Sequence, residues 1–284
     1  MNVLTIAQFT IHEALRRRLI LAGVLLSLAF LGLFALGFSF LYGKVLEATA
    51  ARPNPQMLAV FGATLTLLGL YAVSFLSSFT ALFLSVGAIS GEIDSGALHA
   101  VLARPLRRVE YVLGRWLAYA GISGLYVIAM SSAALLIARL IAGYTAADAL
   151  RGILLLSLAA VLLVTLSLFG STWLSTLANG VTMFSLFGLA WLAGIIEFIG
   201  EALRNEAMIN LGILVSLLVP SDALWRSASF YFQSPAAMLA LAAGRPVLPF
   251  AAGAPPTLPF ILWSAGYVLL MLTGAVLVFA RRDL

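Results

Sequence analysis

Residues 152–196 form a run of 45 without one charged side chain, and that run decides what this chain can fold into. About 20 apolar residues cross a hydrocarbon core of roughly 30 Å, so the run is long enough to cross twice. The same ruler finds 25 uncharged residues between Arg18 and Lys44 and 39 between Arg52 and Glu92. It finds 23 between Arg115 and Arg139 and 35 between Arg245 and Arg281. Only 10% of the 284 residues are charged and 63% are hydrophobic, where a soluble domain carries about 25% charge. So few charges cannot cover a water-facing surface, which argues against a soluble enzyme and against a nucleic-acid-binding module. The net charge of +5 then reads as a signal of membrane orientation, with no nucleic acid partner. There is no cysteine, hence no disulfide and no thiolate metal site.

These intervals place six spans, at about 19–42, 57–90, 115–140, 152–177, 180–198 and 260–280. Pro53-Asn54-Pro55 is a turn before the second span, and Asn179-Gly180 is the turn signal inside the longest run. Pro246–Pro259 is loop. The apolar stretch 207–221 has 15 uncharged residues and ends at Pro220-Ser221, too short to span comfortably. It reads as a re-entrant or interfacial helix within an extracytoplasmic region, 199–259. Were it to cross, the spans would number seven and the termini would lie on opposite sides. The expected fold class is therefore all-α: a polytopic integral membrane protein with six transmembrane helices in one domain, 1–284.

Arginines set the orientation. Arg16, Arg17 and Arg18 precede the first span, Arg104, Arg107, Arg108 and Arg115 lie between the second and third, and Arg281 and Arg282 follow the last. These crowd short segments at helix ends. The seven other cations are spread over longer loops. The positive-inside rule puts both termini in the cytoplasm of a multi-pass protein of the plasma membrane, the inner membrane of a bacterium. The start is not a cleavable signal, because its cations come at Arg16 and the apolar run behind them is too long. Within 1–18, Thr5, Gln8, His12 and Arg16 fall on one helical face, with Leu4, Ile11, Leu15 and Leu19 on the other. That suits an amphipathic interfacial helix lying against membrane lipids; a plain extension of the first span is the alternative.

Chemistry-bearing groups are sparse. His12 and His99 are the two histidines, both in expected cytoplasmic segments, and no charge sits near the middle of any span. Neither a Gly-x-Ser-x-Gly elbow nor a His-Glu-x-x-His motif occurs. The single lysine, Lys44, is followed by Val45, so there is no phosphate-binding P-loop. The chain is expected to have no catalytic residues, no metal site and no cofactor of its own, and any ATP-driven work must draw on another polypeptide.

The most distinctive stretch runs from Gly91 to Arg115, between the second and third spans. Asp94 or Ser95 can cap a helix, and Pro105 disfavours helix at Arg104, so a helix of roughly ten residues fits between them. Ile93, Ala97, Leu98, Val101 and Leu102 make one face, and Glu92, Ser95 and His99 another. Such a short helix can transmit force if something grips it, or can serve as a plain connector; amphipathicity does not choose. The stretch resembles the loop of type-2 ABC transporter permeases, on Gly91-Glu92, Asp94, Gly96-Ala97-Leu98, Leu102, Arg104-Pro105, Arg107-Arg108, Tyr111 and Gly114-Arg115. Ala97 stands where that family more often has Thr. The six-span layout extends the resemblance over the whole chain. Pro220 to Arg226 also resembles a segment before the last span in a subgroup linked with multicopper enzyme maturation.

The resemblance implies that 91–105 is a short cytoplasmic coupling helix seated in a cleft of a separate ATP-binding subunit. Gly91, Glu92, Asp94, Gly96, Leu98, Leu102, Arg104 and Pro105 would form that interface, with ATP and Mg held by the partner. It implies a second permease chain, a homodimer, since six helices make half a pathway, and a transporter that exports. The alternative is an ATP-driven scaffold or mechanotransmitter that acts on an extracytoplasmic partner protein, as in metalloenzyme maturation, without moving a free solute. The aromatic patch Phe230-Tyr231-Phe232 between the fifth and sixth spans could gate an exit, dock that partner, or pack as a lid on its own helices.

The topology makes a direct prediction. Reporter fusions placed after Leu284 and within Pro246–Pro259 report opposite sides of the membrane. A tag after Leu284 found outside the cell would overturn the assignment.

Overall fold

The computed structural model describes residues 2–16, 18–51, 54–94, 107–235, 238 and 252–282. Helices α1 (Val3–Arg16), α2 (Arg18–Ala48), α3 (Pro55–Ser85), α4 (Ser90–Asp94) and α5 (Arg108–Ala142) are followed by α6 (Ala149–Ser171), α7 (Thr176–Leu203), α8 (Glu206–Leu218), α9 (Ser221–Phe232) and α10 (Leu258–Arg281). Among the described residues there is no strand, and six helices are long and apolar enough to cross a membrane. The protein is an all-α polytopic membrane protein.

The helix ends are set by local chemistry. Asn54 caps α3 through Oδ1, which accepts from the Met57 amide at 3.0 Å, with Pro55 in the first turn. Asp148 caps α6 in the same way, accepting from the Arg151 amide at 3.1 Å. Gly143 ends α5 at φ 63°, a left-handed position that costs glycine little. Arg204 takes φ 53° between α7 and α8, the one described non-glycine residue with positive φ. Asn205 follows at once and caps α8, its Oδ1 accepting from Ala207 and Met208 at 3.1 and 3.2 Å. Together the two residues reverse the chain in a minimal turn.

Helix α6 is the central post. It is 67% buried over its most apolar window, against 11% for α2, and it packs against α3, α5, α7, α9 and α10. Its near-continuous apolar composition matches this all-round burial. Helix α2 is peripheral. An i, i+4 ladder of Phe30, Phe34, Phe38 and Tyr42 faces inward, and Gly69 of α3 gives Phe34 its space, because any Cβ there would overlap the ring. The Ser27 hydroxyl reaches Tyr126 Oη of α5 at 2.7 Å. In lipid, where apolar faces gain little from each other, small residues and polar pairs are what bring helices together.

Two sequence expectations look different in the structure. The turn inside the longest charge-free run falls at 172–175, where Ser175 caps α7, and not at Asn179-Gly180. Asn179 lies in the first turns of α7, fully buried, and donates from Nδ2 to the Val86 carbonyl at 2.8 Å and the Ser167 carbonyl at 2.9 Å. Val86 stands just past the end of α3, where the helix leaves carbonyls free, and Ser167 lies in the last turns of α6. The amide is used as a staple across three helices, so the dipeptide does not reverse the chain.

The second difference concerns α1. Its protein-facing stripe is Ile6, Ala7, Thr10 and Ala14, packed on α5, where Gly114 lies against Ile6 and the Val3 carbonyl. Leu4 and Leu15 point outward at 66% and 62% exposure, and Gln8 and His12 are also exposed. The helix thus has three faces, with small residues buried between the apolar and polar ones.

The segment 206–232 forms a bent pair, α8 and α9, meeting at 101° around Val219-Pro220. Helix α8 turns back along α7, with Gly200 against Met208 and Gly212 against Glu197. At 13 residues it is about 20 Å long, too short to cross. Helix α9 begins beside Gly194, nine residues short of the end of α7, or about 14 Å below it. It then climbs back, and Phe232 lands on Gly152 in the first turn of α6. Backbone bonds from Ala147 to Gln233 and from Asp148 to Tyr231, both 3.0 Å, tie its end to the α5–α6 loop. The pair enters and leaves at one end of the bundle, with Pro220 at the inner tip. The Tyr144 hydroxyl donates to the Phe232 carbonyl. Burial pushes that hydroxyl above the ordinary tyrosine range, which keeps it a donor.

Phe230-Tyr231-Phe232 is therefore held down: Phe232 is fully buried and Tyr231 packs on the core. The contact at Gly152 gives a stability test. Gly152→Ala should cost about 1–3 kcal/mol, because its methyl group would overlap the buried Phe232 ring. Gly37→Ala, with open space around it, should be neutral or stabilising by up to about 1 kcal/mol. Reversible unfolding in detergent measures both; equal midpoints for the two variants would refute this packing.

Candidate functional site

The segment singled out by sequence begins where α3 ends. Gly91, Glu92 and Asp94 lie in the short helix α4, whereas Gly96, Leu98, Leu102, Arg104 and Pro105 fall outside the described residues. What the structure gives is the root of the loop and what that root is fastened to.

Glu92 faces inward. Its carboxylate accepts from the Tyr111 hydroxyl and pairs with the Arg115 guanidinium, both on α5. Arg115 is 4% exposed. It also reaches Glu13 of α1 at 3.2 Å and Tyr119 Oη at 3.0 Å, and its guanidinium carbon lies 5.5 Å from the centre of the Tyr111 ring. One buried cation thus joins the loop root, the first turns of α5 and the amphipathic helix α1. Burying such a charge is tolerated only with this degree of pairing.

Asp94 fastens the root on its other side. Its Oδ2 accepts from the Thr176 hydroxyl at 3.1 Å, and Thr176 also bonds Ser90 at 2.8 Å. Thr176 opens α7, one residue past its cap. Asp94 remains exposed, while Ile93 packs on the main core. Beside it lies a broad open hollow of about 560 Å³, lined by Phe83, Val86, Leu177, Val181 and Phe184.

A third fastening comes from the cations around α10. Arg108 donates to the Arg282 carbonyl at 2.6 Å and the Ala280 carbonyl at 3.1 Å, and Arg282 donates to the Thr172 carbonyl at 2.6 Å. These arginines satisfy the free carbonyls at the ends of α6 and α10. The beginnings of α5 and α7 and the ends of α3, α6 and α10 form one hydrogen-bonded rim beneath the loop.

Sequence reasoning placed Arg115 among the arginines at helix ends that set the orientation and did not connect Glu13 to it. The available signal was weak: Glu13 is the one acid in 1–18, set beside the expected polar face. The reasoning also found no charge near mid-span. In the folded chain Asp222, Arg226 and Glu197 meet beneath the α8–α9 tip, with Arg226 2.7 Å from Glu197 and 3.2 Å from Asp222. All three are largely buried. The i, i+4 spacing of Asp222 and Arg226 was readable, but the depth depends on the hairpin bend.

Removing the central cation tests the rim. Arg115→Gln leaves two carboxylates facing each other, and a broken buried pair costs about 3–5 kcal/mol. Glu13 is 43% exposed, so water screens part of this, and a loss of roughly 2–3 kcal/mol is expected. Glu92→Gln together with Arg115→Gln should cost less than the sum of the two single changes. Strict additivity in detergent unfolding would show that the groups do not interact.

The sequence profile of a family described as ABC-2 family transporter protein matches residues 4–284 of the chain. A comparison with curated proteins finds no match.

Proposed function

Because the chain belongs to the ABC-2 family of transporter proteins, and is thus a transmembrane permease subunit of an ABC transporter, we propose that it exports its substrate when a separate ATP-binding subunit pushes on residues 91–105. Gly96, Leu98, Leu102, Arg104 and Pro105 meet the ATPase, with Gly91, Glu92 and Asp94 joining them to the bundle. ATP and Mg stay with the partner. Two copies of the chain, each with its ATPase, make the working unit, and both termini lie in the cytoplasm at the plasma membrane.

The observation that carries this reading is the fastening of the loop root. A passive connector needs no buried ion pairs at its base. Here Glu92 is tied through Arg115 to α1 and α5, and Asp94 through Thr176 to α7. A push on 91–105 is therefore delivered to three elements at once, and not to the flexible end of one helix. Helix α7 carries the α8–α9 pair at its far end, so the same rigid element links the loop root to the opposite side of the membrane. The alternative, a scaffold that acts on an extracytoplasmic protein without moving a solute, uses the same lever and differs only in what α8–α9 meets.

Leu98 supplies the docking energy in this account, at about 1.5–3 kcal/mol for a fully buried leucine. Leu98→Asp should abolish co-purification of the ATPase with a correctly inserted chain, while Arg107→Ala should retain it. Glu92→Ala should retain binding but lower ATPase stimulation, because the contact it loses lies within this chain. Wild-type assembly and stimulation in Leu98→Asp would make the loop an ordinary connector. Reconstituted transport by the complex then separates an exporter from a scaffold.

A further inference from the structure

We propose that Asp222, at the inner tip of the α8–α9 pair, is a proton-binding latch: the pair is seated against α7 while Asp222 holds a proton and loosens when the proton leaves. The inference goes beyond the export function and stands without it. Asp222 belongs to the segment Pro220 to Arg226, which the sequence sets apart and the 91–105 loop does not use. Helices α7, α8 and α9 meet here at one guanidinium. Arg226 Nη2 donates to Glu197 Oε2 of α7 at 2.7 Å and to Ser216 Oγ of α8 at 3.3 Å, and its Nε stands 3.2 Å from Asp222 Oδ2.

Both acidic side chains are walled in by a neighbouring helix. Gly194 of α7 lies against Asp222 Oδ2, and Gly212 of α8 lies against Glu197. A methyl group at either glycine would overlap the acid beside it. These contacts join α7 to α9 and α7 to α8, so they last only while the pair is seated. Burying the two acids and seating α8–α9 are therefore one event.

The cluster is one charge out of balance. Asp222 and Glu197 share the guanidinium of Arg226. Glu197 has the aligned hydrogen bond, whereas Arg226 Nε and Asp222 Oδ2 make none among the described residues. Asp222 thus carries the surplus charge. The surroundings do not cancel it. On α7, Glu201 adds a further negative charge near Arg226. Helix α3 presents the neutral Tyr71, whose hydroxyl accepts from Trp191 of α7, and α8 presents Ser216. Helix α6 presents Leu156, Ala159 and Ala160. The N-terminus of α9 offsets about half a charge. A proton on Asp222 removes the surplus and leaves Arg226 and Glu197 as a closed pair. Burial pushes the Asp222 carboxyl up to about 6, with Glu197 adding to the push and Arg226 pulling against it. A carboxyl held above its ordinary value of 3.8 gives stability that is complete below that value and is lost as pH rises through about 6. Acid therefore seats the pair and alkali frees it.

The test is hydrogen exchange of the full chain in lipid nanodiscs, with rates corrected for the intrinsic effect of pH and with α6 as the internal reference. Protection of 206–232 is expected to fall about tenfold between about pH 5 and about pH 8, as linkage to a carboxyl raised to about 6 requires. Asp222→Asn, which fixes the neutral form, should keep the acid-level protection across that range. Glu197→Gln leaves Arg226 to Asp222 and should move the step to lower pH. Wild-type protection that does not change with pH, the same step in Asp222→Asn, or a step left in place by Glu197→Gln would each overturn the proposal. If Asp222→Asn fails to fold, the wild-type and Glu197→Gln profiles decide it.

Discussion

A charged side chain inside a bilayer has no water to turn to, and this constraint arranges almost everything else in the chain. Among the described residues, two groups of charges deeper in the fold each gather two carboxylates around one arginine. Arg115 sits between Glu92 and Glu13; Arg226 sits between Glu197 and Asp222. The first group binds the root of the 91–105 loop to α1 and α5. The second lies under the inner tip of α8–α9. One arginine thus organises the loop end of the molecule and another the interior beneath the α8–α9 tip, and α7 runs between them.

Close packing does the rest. Where helices meet, glycine repeatedly makes the approach possible: Gly69 under Phe34, Gly152 under Phe232, Gly194 under Asp222, Gly200 under Met208. Lipid offers no hydrophobic drive between helices, so backbone proximity and polar pairs set the arrangement. Helix α6 is surrounded on all sides as a result, while α2 presents most of its leucines outward. The serine and threonine hydroxyls inside the spans mostly bond carbonyls one turn back, as Thr66, Ser78 and Thr165 do. Ser77, Ser123 and Ser131 break that habit.

Much of the fold was legible in the sequence because charge-free length maps directly onto membrane thickness. The six helices long and apolar enough to span follow from counting alone. The turn inside the longest run was misplaced, because Asn179 and Gly180 have turn chemistry that the fold uses as a staple and a close contact. Local propensity could not see the carbonyls of Val86 and Ser167 waiting for that amide. Likewise, the outward faces of α1 were readable from its period, but the buried stripe of Ile6, Ala7, Thr10 and Ala14 was not, since alanine and threonine carry little hydrophobic signal. The root of the loop was found by motif, and its fastening was not. Glu13 and Arg115 are separated by 102 positions, and no periodicity joins them.

The central claim is that residues 91–105 are the handle by which an ATPase moves this bundle. The chain has no native cysteine, so a single one can carry a photoreactive label without further changes. Labels placed at Leu98 and, in a separate variant, at Trp173 in the 172–175 turn at the same end of the bundle compare two candidate contact points. Cross-linking of the ATP-binding subunit from position 98, with little from 173, is the predicted result. Cross-links from 173 with none from 98 would contradict the account.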